Sequence, residues 1–135
     1  MDLVLVDTSV WINFFKGKET PSSLYLKRNL SNLLIATSPV IIQEVLQAIA
    51  IDKDFERVKN YFSNFINLPA NNPYVIAVQS AEMYRKLRKR GITIRKPNDC
   101  LIVSYAMNND IALLHDDQDF FNIATHTDLK LVAFS

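Results

Sequence analysis

The chain has 135 residues, 49% hydrophobic and 21% charged, a balance that fits a folded domain with a real core and excludes a disordered segment. Fifteen Lys and Arg against fourteen Asp and Glu leave a net charge of +1, so the chain is not a globally basic nucleic-acid binder. Two glycines are too few for a phosphate-cradling loop of the P-loop or dinucleotide type, and the single cysteine can form no internal disulfide.

The elements alternate from the start. Leu3 to Val6 is a continuous apolar run of the kind found in a strand covered on both faces, and it ends at Asp7. A short helix over Val10 to Phe15 follows and stops near Gly17. Ser22 or Ser23 is expected to cap a second helix that reaches about Leu30. Leu33 to Thr37 reads as a second strand, and Ser38-Pro39 as the start of a helix running to about Ile51. On that helix Ile41, Ile42, Val45, Leu46 and Ile49 share one arc, and Glu44 lies on its flank.

Asp52 to Phe65 forms the next helix, and Ile66 to Leu68 a short strand closed by Pro69 and the polar pair Asn71-Asn72. Pro73 opens a long helix that ends at Gly91. Pro97-Asn98-Asp99 begins another, Ile111 to Leu114 is a strand, and the acids Asp116, Asp117 and Asp119 come straight after it. Lys130 to Phe134 reads as a last, edge strand. No apolar run approaches the roughly 18 residues that a membrane-spanning helix needs. The N-terminus lacks the basic start of a secretory signal, so a cytoplasmic protein is expected.

Charge is distributed unevenly. Arg85, Lys86, Arg88, Lys89, Arg90, Arg95 and Lys96 crowd between positions 85 and 96. Basic last turns of a helix are ordinary partners of its dipole. This cluster exceeds that need, and Arg85, Arg88, Lys89, Arg95 and Lys96, together with Lys16, are the candidate contacts to a nucleic-acid backbone.

Strands alternating with helices imply a mainly parallel sheet covered on both faces, with ligands at the carboxyl ends of the strands. Asp7 and the acids after Leu114 belong to that edge, and the helices that carry Glu44 and Asp99 begin there. Each acid alone has an ordinary reading, as a helix cap or a solvated helix face. Converging, they would repel one another strongly without a cation. An all-carboxylate set with no Cys or His pair suits Mg²⁺ or Mn²⁺ rather than zinc.

Three stretches, Asp7-Thr8-Ser9-Val10-Trp11-Ile12, Pro97-Asn98-Asp99-Cys100-Leu101-Ile102 and Asp117-Gln118-Asp119-Phe120, resemble the PIN-domain ribonucleases, and among them the VapC-type toxins of prokaryotic toxin–antitoxin pairs. The resemblance spans nearly the whole chain. It implies a single PIN-like domain over residues 1–135 with a three-layer α/β/α fold. It also implies a catalytic and metal-holding quartet of Asp7, Glu44, Asp99 and Asp117, with Asp119 as a further metal-side acid and Ser9 as an accessory hydroxyl. Asp7 and Asp99 would hold a first ion most directly, and Glu44 and Asp117 would complete its site.

The activity implied is Mg²⁺-dependent, or Mn²⁺-dependent, hydrolysis of RNA phosphodiester bonds. The partners implied are an RNA substrate, a cognate antitoxin and a second copy in a homodimer, with no membrane. Tyr25, Tyr61 and Phe62, read as exposed aromatics, could serve either protein interface, but ordinary core or surface packing is the favoured reading. One departure from the pattern is His115, where many relatives carry Thr or Ser. The competing reading is a non-catalytic PIN-like module that binds RNA or protein. A receiver domain is disfavoured because the first strand delivers one acid and the only Lys after residue 96 is Lys130. A haloacid-dehalogenase-like phosphatase would need an Asp where Ser9 stands.

Overall fold

The computed structural model describes residues 2–70 and 72–134. Its centre is β1 (Asp2–Val6), with Val4, Leu5 and Val6 at 3% exposure or less. Such a strand can be apolar on both faces only if both are covered. Helix α1 (Thr8–Lys16) follows, then α2 (Pro21–Asn29), a single 3-10 turn and β2 (Leu33–Thr37). Next come α3 (Pro39–Gln47), α4 (Asp52–Phe62), β3 (Ile66–Asn67), α5 (Pro73–Lys89), α6 (Asn98–Asn108), β4 (Ala112–Leu114) and α7 (Gln118–Ala124).

The sheet order is β3-β2-β1-β4 and every pair is parallel, so the expected three-layer α/β/α arrangement with a parallel sheet is present. Val6 lies opposite Leu114 in the register. The Asp7 N–H donates to the Leu114 carbonyl at 2.9 Å, which carries the ladder one residue further. The two segments that follow β1 and β4 therefore leave the sheet side by side.

Trp11, fully buried on α1, is the hub of an aromatic cluster. Phe14, Phe15, Tyr61, Phe62 and Phe65 all lie 5.0 to 6.0 Å from it between ring centroids. This packing fixes α1 against the end of α4 and so fixes the direction in which Asp7 enters α1. Phe62 is buried in this cluster, in keeping with the ordinary packing expected of it, while the exposed aromatics among the described residues are Phe15, Tyr74, Phe121 and Phe134.

Several boundaries differ from expectation. Thr20, rather than Ser22 or Ser23, caps α2, in a reciprocal capping box with Ser23 that places Pro21 in the first turn. Helix α3 ends at Gln47 and α4 at Phe62, short of the predicted Ile51 and Phe65, so each apolar arc runs on past its helix. Ser38 precedes α3 but its side chain makes no cap hydrogen bond. The expected last strand at Lys130 to Phe134 is reduced to a parallel bridge between Leu113 and Leu131. Asn71 lies outside the described residues, and Asn72 caps α5 by accepting from the Tyr74 and Val75 N–H groups. Gly91, just past α5, takes a left-handed φ of 80°, as its place in the sequence predicts.

Candidate functional site

Asp7 caps α1 with one carboxylate oxygen and leaves the other without a partner. Its Oδ2 accepts from the Ser9 backbone N–H at 2.9 Å and from Ser9 Oγ at 2.5 Å, which caps α1. Its Oδ1 is buried with no hydrogen-bond partner. Ser9 Oγ also accepts from the Asp116 N–H at 3.0 Å and so staples the segment after β1 to the segment after β4. Asp116 itself points elsewhere: its Oδ2 accepts from Asn13 Nδ2 at 2.8 Å and Thr20 Oγ1 at 2.7 Å. That acid is a brace between α1, the α2 cap and the strand end.

Glu44 stands partly buried on α3, and Thr8 Oγ1 donates to its Oε1 at 2.8 Å. The sequence reading missed Thr8, because a contact across 36 residues leaves no local signal. Asp99, near the start of α6, is 4% exposed, and its Oδ2 is buried without a partner. Asp117 caps α7 by accepting the Asp119 N–H on Oδ1 at 3.0 Å. One oxygen each from Asp99, Asp117 and Asp119 can be chosen so that all lie within 4.8 Å of one another.

The field at the site joins these acids to Asp7 and Glu44. Burial pushes Asp99 up to about 8, and the charges of Asp7, Asp117 and Glu44 add to the shift while Lys96 opposes it. Asp7 is pushed up to about 6, again chiefly by burial, with the Ser9 hydrogen bonds opposing and the Glu44 charge adding. Asp99 thus feels the charge of each of the other three predicted acids, and it forms a close group with Asp117 and Asp119.

Buried carboxylate oxygens without donors are rare and call for an explanation. An oxygen-only donor set matches a hard divalent cation. Among the described residues, the side chains close enough together to hold an ion contribute no nitrogen or sulfur. Burial pushes the Cys100 thiol up to about 11, which keeps it protonated. Burial holds His115 below its usual range, and its Nδ1 is already taken up by the Asp117 N–H.

His115, where the sequence departs from the family pattern, makes a local hydrogen bond to the acidic segment. Its Nδ1 accepts from the Asp117 N–H at 3.2 Å, the bond that a Thr or Ser hydroxyl there would offer. Its ring packs against Phe120 and Phe121, with centroids 5.2 and 4.6 Å away.

The basic cluster divides. Arg95 and Lys96 pair with the acids: Arg95 Nη2 reaches Asp117 Oδ1 at 2.9 Å, and Lys96 Nζ lies 3.8 Å from Asp117 Oδ2. Arg85, Arg88 and Lys89 stay on the exposed side of α5 and form no ion pair among the described residues.

Residues 4–125 match the PIN domain family model. The chain is 28% identical to VapC ribonuclease Mb1587 of Mycobacterium bovis and to Ribonuclease VapC11 of Mycobacterium tuberculosis, in each case over 98% of this chain and 99% of the relative. Among solved structures it resembles a chain of VapBC2 from Rickettsia felis, bound there to a DNA fragment from the promoter, with a TM-score of 0.71 at 17% identity over 98% of this chain and 99% of that one. A chain of VapBC-1 from nontypeable Haemophilus influenzae gives a TM-score of 0.72 at 18% identity, with 96% of each chain covered.

Proposed function

The chain belongs to the PIN-domain family, and from that premise we propose that residues 1–135 act as one unit, a divalent-metal-dependent endoribonuclease that serves as the toxin of a type II toxin–antitoxin pair. The observation that carries the metal dependence is the pair of buried, donorless oxygens, Asp7 Oδ1 and Asp99 Oδ2. Asp7, Glu44, Asp99 and Asp117 would hold the ion, with Asp119 beside them and Mg²⁺ or Mn²⁺ as the cation. When bound, the ion supplies positive charge toward the scissile phosphate and acidifies the attacking water.

The protein's own residues do the rest. Ser9 keeps the second oxygen of Asp7 occupied, so that the free one keeps its direction. Glu44, steadied by Thr8, or Asp117 orients the attacking water and takes its proton. Arg95 and Lys96, with Arg85, Arg88 and Lys89 further along, hold the RNA backbone. Specificity then rests on the shape of the RNA, since the chain carries no aromatic base-reading motif.

The test is cleavage of a panel of structured RNAs with Mg²⁺, Mn²⁺ or EDTA, alongside Asp7→Asn. Metal-dependent cleavage that the variant loses is the expected result. Binding of RNA without cleavage under every metal condition would favour a non-catalytic module instead.

The complexes named for the solved relatives support a small antitoxin as the partner. A second copy of the chain in a homodimer, in the cytoplasm, completes the proposed setting. Co-purification with the product of an adjoining small reading frame, and loss of cleavage in that complex, would test the partner.

A further inference from the structure

Arg95 touches both acids at the start of α7 through three donors. Its backbone N–H and its Nε donate to Asp119 Oδ2 at 3.1 and 3.4 Å, and its Nη2 donates to Asp117 Oδ1 at 2.9 Å. The two carboxyl side chains are 8% exposed, whereas the Arg95 side chain is 68% exposed. A solvent-facing cation therefore lies across carboxylates that, with Asp99, form the tightest acidic group among the described residues.

A divalent ion on those acids and the guanidinium are two cations competing for the same charge. The guanidinium is the one that can leave, because an ion pair with an exposed partner is weakly held. Its backbone N–H would keep the residue anchored to Asp119 as the side chain swings. What swings free is a planar group with five donors, matched to phosphate oxygens. Lys96 is a weaker candidate, since its single ammonium sits 3.8 Å from one acid and cannot bridge two.

Resting on the ribonuclease reading above, we infer that Arg95 exchanges partners, holding Asp117 and Asp119 in the metal-free protein and gripping an RNA phosphodiester once a divalent ion has taken those carboxylates. Metal and RNA binding then reinforce each other through one side chain, and the coupling is reciprocal.

The experiment compares wild type with Arg95→Gln, which removes the guanidinium and leaves the backbone tie. Calorimetry reads Mn²⁺ binding alone. Fluorescence anisotropy reads the affinity of a short fluorescein-labelled phosphorothioate oligouridylate with and without Mn²⁺. The variant is expected to bind Mn²⁺ at least as tightly as wild type, while the gain in RNA affinity that Mn²⁺ brings is smaller by about fivefold or more. Arg95→Lys, which keeps the charge but not the fork, should recover only part of that gain.

An equal gain in wild type and Arg95→Gln overturns the exchange. So does Mn²⁺ binding that is weaker by about tenfold in the variant, because Arg95 would then be a fixed brace of the site. If neither protein binds Mn²⁺, the metal-dependent reading itself falls and takes the exchange with it. Mn²⁺ binding with unaltered coupling removes the exchange alone.

Discussion

Asp99 and Asp7 are carboxylic acids kept where their charged forms are disfavoured. Both hold their protons well above the 3.8 that they would show unfolded, Asp7 to about 6 and Asp99 to about 8. Between those values the folded chain binds more protons than the unfolded one, so their effect is to lower stability as pH rises from about 4 to about 8. The metal-free protein should melt at a lower temperature near pH 8 than near pH 5, and Asp99→Asn should flatten that decline. Mn²⁺ competes with the same protons, so its affinity should climb through the same window, which calorimetry at stepped pH would reveal. A melting curve unmoved by Asp99→Asn would show that the acid is ionised without cost in the folded chain. Thr8→Val should cost about 1 kcal/mol in urea unfolding and weaken Mn²⁺ binding, since Glu44 loses its donor; Thr8→Ser should restore both. Asp7, Asp99 and Asp117 stand out in the sequence because each follows an apolar strand or opens a helix, whereas Glu44, in the middle of α3, is singled out by the resemblance. Their donors do not stand out, because Thr8 and Arg95 meet carboxylates that lie 36 and 22 to 24 residues away.

Among the elements, the strands were the easiest to read, since β1 and β2 are β-branched apolar runs that need cover on both faces. The segment at Lys130 to Phe134 has the same composition, yet it lies beyond β4 and pairs only at Leu131. Composition reports burial but not the number of partners, and a sheet's outermost segment has one side to pair with. Helix α7 went unread because its seven residues are too short to show a period. The cap of α2 shows what a well-placed side chain contributes. Thr20 Oγ1 accepts from the Ser23 N–H and donates to Asp116, so it joins the helix start to the end of β4. Thr20→Ala removes both bonds and should cost about 2 kcal/mol in chemical denaturation, more than a cap alone. Gly91→Ala meets no steric neighbour, yet its φ of 80° should still cost about 1 kcal/mol.

Across the whole molecule, the net charge of +1 conceals an acidic site beside a basic surface. The exposed cations of α5 matter only if RNA reaches them. If it does, RNA affinity should fall steeply with salt, and Arg88→Gln should reduce the slope of that dependence by about one unit. An unchanged slope would confine the RNA contact to the neighbourhood of Arg95 and Lys96.

The staple from Ser9 to the Asp116 backbone spans 107 residues. Asp7 is made before Asp117 and Asp119, with most of the fold between them. Until β4 docks beside β1, Asp117 and Asp119 cannot join Asp99 and the earlier acids. The complete acidic group is therefore a product of long-range folding, and a chain cut before β4 would carry Asp7 without Asp117 and Asp119.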